Sequence, residues 1–537
     1  MSAVVSSFTE DALLKLIRQS PTKSCLLDPA PTWLLKDSSV TEAVLPTLTS
    51  AINSSLQSGV VPAHLKAALI SPLIKKADAD PEDLASYRPV SNLPFIGKLM
   101  ERVVARQLTQ YLQENGLNDP FQSAYRAEHS TESALLRIKN DIDVALDGGD
   151  GVLLVLLDLS AAFDTIYHTI LLDRLEHCCG ITGVALQWMR SYLSDRTQSV
   201  LIGDARSDIE DLNIGVPQGS VLGPLLFLVY LLPLLAIMRR HGICYHGYAD
   251  DTQIYHRFSV KKPGDLQDAI RRLEACLEEI CSWMVLNKLK LNGLKTEFIV
   301  MISAYHQALV DSMQPVLKIG DSIITPTKTV RNLGVTLDRE MTMGPYIRQI
   351  TRSAYFRLQK ISTIRCNLNQ ETCAAAVRAL VLSKLDYANT LLIGLPEKLV
   401  GRLQIVQNDA ARLVSRTSRR DRDHITPVLR QMHWLPVRHR ITHKLLTLTY
   451  RALHSESAPL YLRDLLQPHQ PPRVLRSGDA PPRLVRPRTK KLVGERAFVA
   501  AAPTHWNNLP DSVRGAQSLT VFKKHVKTLL FRQHYGD

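Results

Sequence analysis

Paired cysteines are what this 537-residue chain most plainly lacks. Its eight cysteines (Cys25, Cys178, Cys179, Cys244, Cys276, Cys281, Cys366 and Cys373) include no C-x-x-C pair. Neither a zinc knuckle nor a disulfide framework can be read from that spacing, and scattered thiols suit a reducing intracellular compartment. The N-terminus has no basic stretch followed by an apolar run, the mark of a secretory signal. The expected location is therefore the nucleus, the cytoplasm or both, with no secretion. No internal repeat is evident. Long uncharged apolar runs are also scarce: only residues 220–238 reach the length of a membrane span, and Pro224 and Pro233 interrupt them. A buried core helix is the expectation there, with no membrane partner.

Acidic residues are scarce at one end. Residues 401–537 hold 25 Lys and Arg against 9 Asp and Glu, whereas the first 400 hold 40 against 42. The formal net charge of +14 thus comes entirely from the last quarter. A basic stretch of that kind is the electrostatic footprint of a polyanion partner, although a solubilising tail has the same composition. Binding to nucleic acid through it would weaken steeply with salt. The length allows three or four subdomains with real cores, and a hydrophobic content of 45% is ordinary for globular protein.

Against these absences stand three acids in a telling order. Asp158 follows the apolar run 152–157, which reads as a short strand buried on both faces. Asp250 and Asp251 sit between two runs rich in β-branched or aromatic residues, 243–248 and 252–255, which reads as a hairpin with the acids at its tip. Adjacent acids in a tight turn repel each other, a cost that a bound cation offsets. Alone, Ala249-Asp250-Asp251 reads as no more than a polar turn, and Asp158 as a polar strand end. Together, with Val216-Pro217-Gln218-Gly219 between them, they could form the acidic site of a two-metal nucleotidyl transferase. Such enzymes hold two Mg²⁺ ions roughly 3.5–4 Å apart over the attacking and leaving oxygens. Mg²⁺ is held by one or two carboxylates plus substrate phosphates.

The blocks 157–164, 216–219 and 248–251 resemble the palm of a reverse transcriptase, and the match widens around them. Residues 86–93 with Lys98 and 101–104 look like a first fingers motif. Phe121-Gln122-Ser123-Ala124-Tyr125-Arg126 with His129-Ser130-Thr131 looks like a second. Leu291-Asn292 with Lys295-Thr296-Glu297 looks like the lysine block, and residues 330–338 like the primer grip. Seven ordered blocks, reaching from about residue 8 to the end, resemble the reverse transcriptase of LINE-type (non-LTR) retrotransposons.

That resemblance implies an RNA-directed DNA polymerase that extends a DNA primer on an RNA template. It would use dNTPs and two Mg²⁺ or Mn²⁺ ions, and hold the RNA–DNA hybrid. Asp158, Asp250 and Asp251 would be the metal ligands, and Phe163 the steric gate against a ribose 2′-hydroxyl. Gln218 and Gly219 would approach the template and incoming base. Arg88 and Arg126 would contact the triphosphate, where Arg gives bidentate phosphate contacts. Lys295 would protonate or neutralise the leaving pyrophosphate, and Asp164 would support the site without being a ligand. Ala124-Tyr125 stands where the family usually has Gly-Phe, which tightens a turn that prefers Gly. An N-terminal endonuclease and an RNase H domain have no room, so a truncated copy is expected. The rivals are a catalytically silent nucleic-acid-binding remnant, a maturase of the group II intron type and a template-independent transferase.

The expected fold class is α+β in a right-hand polymerase arrangement. A helical extension would fill 1–60, the fingers 61–150, the catalytic palm with some finger elements 151–305, the primer grip and helical thumb 306–465, and a basic Pro/Arg-rich linker with a C-terminal helix 466–537. Helical spacing runs over 95–112, 131–146, 168–193, 263–286, 347–361, 371–391, 441–453 and 519–533. Ser130-Thr131 is placed to cap the second of these. The last presents an apolar face (Val521, Phe522, Val526, Leu529, Leu530) that needs a core to dock on. The run 486–491 reads equally as a nuclear localisation signal or a phosphate-contacting loop.

Overall fold

The computed structural model describes residues 7–23, 25–76, 79–159, 163–293, 295–320, 322–417, 424–469 and 481–536. The middle of the Pro/Arg-rich linker (470–480) and residues 160–162 of the first palm block lie outside them. The fold is α+β and divides into two compact units, each gathered from separate stretches of chain. Met1–Asp119, Asp158–Arg240 and Glu278–Asn292 form the first, and Pro120–Leu157, His241–Leu277 and Gly293–Asp537 the second.

Nine strands matter here. In chain order they are β1 (Ala67–Ile74), β2 (Tyr87–Asn92), β3 (Gly151–Leu157), β4 (Thr197–Ile202), β5 (Cys244–Tyr248), β6 (Asp251–Phe258), β7 (Glu297–Met301), β8 (Thr329–Asn332) and β9 (Val335–Asp338). In the first unit β1 lies between β2, its antiparallel partner, and β4, its parallel one. The same unit holds the helix Gly223–Arg240, the apolar stretch long enough to span a membrane. Leu226, Phe227, Tyr230, Leu231 and Leu234 on it are buried in protein, which makes it a core helix. The buried Glu101 accepts from the N–H groups of Val221 and Leu222 just ahead of that helix. Burial pushes the Glu101 carboxyl up.

The second unit is built on an antiparallel sheet in the order β5-β6-β3-β7. Its central strand β3 carries Val152, Leu153, Leu154 and Val155, all buried. Strand neighbours point to opposite faces, so both faces of β3 are covered, as the unbroken apolar run predicts. Behind it lies the helix Thr131–Gly148, opened by a capping box between Ser130 and Ser133 and closed at Gly149 with φ +92°. Leu154 and Tyr255 of the sheet share one continuous core with the helices Gly344–Thr363, Glu397–Ser415, Val437–His454 and Leu519–Tyr535. The last helix docks through most of its expected apolar face. Phe522, Val526 and Leu530 are buried and the Tyr450 ring stacks on Phe522 at 4.4 Å, whereas Val521 is exposed.

Two of the expected helices are broken. The pattern over 168–193 becomes Tyr-led helix His168–Asp173, a π turn Arg174–Cys178 and a separate helix Gly183–Leu193. Gly180 (φ +70°) and Gly183 (φ +62°) take left-handed backbone at the join, where glycine carries no Cβ penalty. The stretch 371–391 likewise holds a π turn over Arg378–Leu382, then leaves the helix at Tyr387. Both breaks include a π turn, a single i→i+5 turn inside a helical stretch.

Candidate active site

The acid-tipped hairpin forms as its sequence predicts. Tyr248 is the register partner of Asp251 across β5 and β6, leaving Ala249-Asp250 as a two-residue turn. Ala249 takes φ +58°, left-handed backbone that costs an L-residue roughly 1–2 kcal/mol. Gly is the usual choice in such tight hairpin turns. Gln122 offsets that cost: the Ala249 N–H donates to its Oε1 at 3.1 Å, and the Ala124 N–H to the same atom at 3.0 Å. The backbone beside it is tied down too. Gly247 N–H donates to Phe121 O (2.8 Å) and Ser123 N–H to Gly247 O (3.0 Å). A Cβ on Gly247 would meet Gln122 Nε2 at 2.8 Å, so the two segments can approach this closely only with glycine there.

Asp158 is the residue after Leu157, and Leu157 is the register partner of Thr252, the neighbour of Asp251. The Asp158 carbonyl accepts from Asn292 N–H at 3.0 Å, and Leu159 bridges Leu291. The Leu-Asn pair of the lysine block thus secures the backbone at Asp158, a link that sequence spacing does not reveal. Asp158 and Asp250 are half-buried and Asp251 is exposed. The donor set is all carboxylate oxygen, hard ligands of the type that Mg²⁺ and Mn²⁺ select. Among the described residues no three His, Cys, Asp or Glu side chains are grouped closely enough to hold an ion by themselves. Mg²⁺ needs no such cage, since substrate phosphates complete its shell.

Elsewhere in the first unit, the loop after Asp158 clasps the Pro-Gln-Gly block. Gly215 N–H donates to Ile166 O (2.8 Å) and Val216 N–H to Phe163 O (3.0 Å). Gln218 Nε2 donates to both Asp164 oxygens, at 2.9 and 2.8 Å. Burial pushes the Asp164 carboxyl up, and the Gln218 amide opposes that. Phe163 is half-buried, its ring 5.0 Å from that of Phe227. Gly219 has φ +132°, and a Cβ there would stand 2.5 Å from Ser91 O. Ser91 N–H donates to Gln218 O at 2.8 Å. The close approach that demands glycine at 219 is thus to β2 of this protein, the strand that also carries the exposed Arg88.

In the second unit Arg126 is half-buried, its Nη1 donating to Gln122 O at 3.1 Å, and Lys295 is exposed in the turn before β7. Ala124 corrects an expectation. It is buried but has no left-handed backbone, so a glycine is not needed at 124. The positive φ, +57°, falls on Tyr125 instead. Burial pushes the Tyr125 hydroxyl up, and the Asp250 charge adds to the shift. Tyr125 and Gln122 are site neighbours that spacing gives no reason to select. Their only signal is membership in the block at 121–126.

The reverse transcriptase (RNA-dependent DNA polymerase) family matches residues 74–337. The chain carries a reverse transcriptase domain. Its relatives include the RNA-directed DNA polymerase from mobile element jockey of Drosophila melanogaster, 26% identical over 77% of this chain and 44% of that protein. The probable RNA-directed DNA polymerase from transposon BS of the same fly is 27% identical over 68% and 40%. These are polymerases of mobile elements, the class to which the sequence resemblance led. The chain spans under half the length of these relatives. Among solved structures, a telomerase from Candida albicans in complex with a fragment of telomeric RNA covers 77% of this chain and 66% of its own. Its TM-score of 0.36 and 11% identity are too low to inform the fold.

One support of the reverse transcriptase hairpin comes from beyond the matched domain. His246 on β5 is fully buried, and its Nε2 meets Ser123 Oγ at 2.8 Å. Ser123 Oγ also meets the hydroxyl of Tyr461 at 2.8 Å, and Tyr461 donates to Ser133 Oγ at 2.9 Å. The Tyr461 ring presents its edge to His246 at 4.8 Å. Burial pushes the His246 imidazole from 6.5 down to about 3, with the Arg137 charge adding to the effect. A histidine whose folded pKa lies below its unfolded value stabilises the fold above the unfolded pKa. That stability is lost as pH falls from about 6.5 toward 3. Acidifying from pH 7 to pH 5 is expected to cost roughly 2 kcal/mol through His246 alone. Denaturant melts at the two pH values check this, and His246→Gln flattens the dependence over that window.

Proposed function

We propose that this chain is an RNA-directed DNA polymerase that extends a DNA 3′-hydroxyl on an RNA template, in the service of retrotransposition. The observation that carries the reading is the antiparallel sheet of the reverse transcriptase domain. Its central strand leads directly into Asp158, opposite the strand that begins at Asp251. In the right-hand description, this sheet belongs to the palm, the β1-β2-β4 sheet to the fingers, and the helices after residue 340 to the thumb. The partners would be an RNA template, a DNA primer, their hybrid and dNTPs. The site would lie within an intracellular protein with eight free cysteines.

Asp158, Asp250 and Asp251 would hold two Mg²⁺ or Mn²⁺ ions, which stabilise charge on the attacking and leaving oxygens. The Phe163 ring, seated against Phe227, would exclude a ribose 2′-hydroxyl by bulk. Arg88 and Arg126 would bind the triphosphate as bidentate donors. Lys295 would neutralise the departing pyrophosphate. Gln218, its amide oriented by Asp164, and Gly219 would face the templating base. The excess of basic residues after 400 would hold the hybrid, with affinity falling as salt rises.

Primer extension tests the reading. With a DNA primer annealed to RNA, Mg²⁺ and dNTPs, the protein is expected to add nucleotides in template order and none without template. Retention of the hybrid without extension identifies a silent remnant, and untemplated addition identifies a terminal transferase. Phe163→Val is expected to raise ribonucleotide use relative to deoxynucleotide use by on the order of 100-fold, the scale of a lost steric discrimination. Competition between labelled ATP and dATP reads it out.

A further inference from the structure

The strand pairing of the catalytic hairpin ends at Tyr248 and Asp251, and the turn between them adopts a backbone that its own sequence disfavours. Ala249 has φ +58° where Gly would sit without strain. A turn of this kind persists only when its surroundings over-determine it. One buried side chain stands at the centre of those surroundings. Gln122 is 5% exposed, and its Oε1 accepts the N–H of Ala249 and that of Ala124. Its backbone is fixed in turn. Gln122 pairs as a parallel bridge with Gly247, while Phe121 O and Ser123 N–H grip the two polar groups of Gly247. Ser123 is held from behind by Tyr461 and His246.

We propose that Gln122 is the positioning residue of the metal-binding turn: its amide oxygen selects the left-handed backbone at Ala249 and so sets where the Asp250 and Asp251 carboxylates point. The inference rests on the polymerase reading for its catalytic consequence, but the conformational part stands on the hydrogen bonds alone. The physical logic is that of any preorganised site. Carboxylates held in place before substrate arrives need no rearrangement during reaction, and small misplacements cost much of the rate. Hybrid affinity, by contrast, would rest chiefly on the basic residues after 400, remote in sequence from Gln122.

Three variants test it. Gln122→Met fills the same space without an acceptor. In the free protein, hydrogen exchange at the hairpin tip is expected to speed up by about tenfold, the worth of one buried hydrogen bond. In primer extension kcat is expected to fall on the order of 10- to 100-fold and the Mg²⁺ requirement to rise, with hybrid Kd unchanged. Ala249→Gly in the Gln122→Met background relieves the left-handed strain and is expected to recover most of the lost kcat, which a general packing defect would not. Gln122→Glu keeps an acceptor at the same place and is expected to retain tip protection within about twofold, so it decides the matter if Gln122→Met fails to fold. Unchanged tip exchange in Gln122→Met, or equal loss of protection in Gln122→Glu, overturns the proposal. If the wild-type protein extends no primer, the polymerase reading fails while the exchange comparison still decides the role of Gln122.

Discussion

Asp250→Ala combined with Asp251→Ala is expected to abolish primer extension, by at least ~1000-fold, while leaving the fold intact. The size follows from what the two carboxylates do. They would hold the ions that carry the developing charge, and losing preorganised electrostatic stabilisation of that kind costs orders of magnitude in rate. The stability of the fold should not suffer. Asp251 is exposed and Asp250 half-buried at a turn whose backbone is held by Gln122. Removing two adjacent like charges relieves repulsion, so a change within about 0.5 kcal/mol is expected. The checks are extension on an RNA template, a thermal melt and hybrid binding measured side by side. Lost extension with unchanged melting and binding assigns the acids to chemistry. Residual extension at a tenth of the wild-type rate would remove them from the centre of the reaction.

Gly219→Ala is expected to do the opposite, and to damage the fold first. Its Cβ would stand 2.5 Å from Ser91 O at a φ of +132°. Neither the clash nor the dihedral can relax cheaply, because Ser91 is a paired residue of β2 and its N–H is already bonded to Gln218 O. Strain of about 1–3 kcal/mol from the dihedral combines with overpacking of a further 1–3 kcal/mol. A loss of about 3 kcal/mol or more is expected, seen as a lower denaturation midpoint or as insoluble protein. Gly401→Ala is the control. It lies within the helix Glu397–Ser415, and nothing stands within 4 Å of its Cβ. Ala is favoured over Gly in a helix by up to about 1 kcal/mol, so this variant should gain stability.

These two predictions divide along the line between what could and could not be read from residues in order. The strand before Asp158, the hairpin around Asp250, the cap at Ser130 and the docking face of Leu519–Tyr535 were legible. Each rests on a local rule: an apolar run, alternation, a capping residue or a 3.6-residue period. The breaks near Cys178 and at Tyr387 were not read, because enough apolar residues fall at helical spacing on both sides of each to pass for one continuous helix. Glycine at 219 was recognised, but not the atom that would crowd a side chain there: the carbonyl of Ser91, more than a hundred residues earlier in the chain.

By itself, the sequence determined where the acids of the proposed site stand. Carboxylates that follow a buried strand and tip a hairpin are specified by side-chain type and period, and both are local. Only the tertiary structure decided what holds them. The amide oxygen of Gln122 reaches Ala249, the carbonyl of Asp158 takes the amide of Asn292, and the hydroxyl of Tyr461 reaches Ser123 from outside the reverse transcriptase domain. Hydrogen bonds between residues more than a hundred positions apart leave no periodic trace in sequence. They exist only where the packed core brings donor and acceptor within about 3 Å, and that distance is set by the fold as a whole.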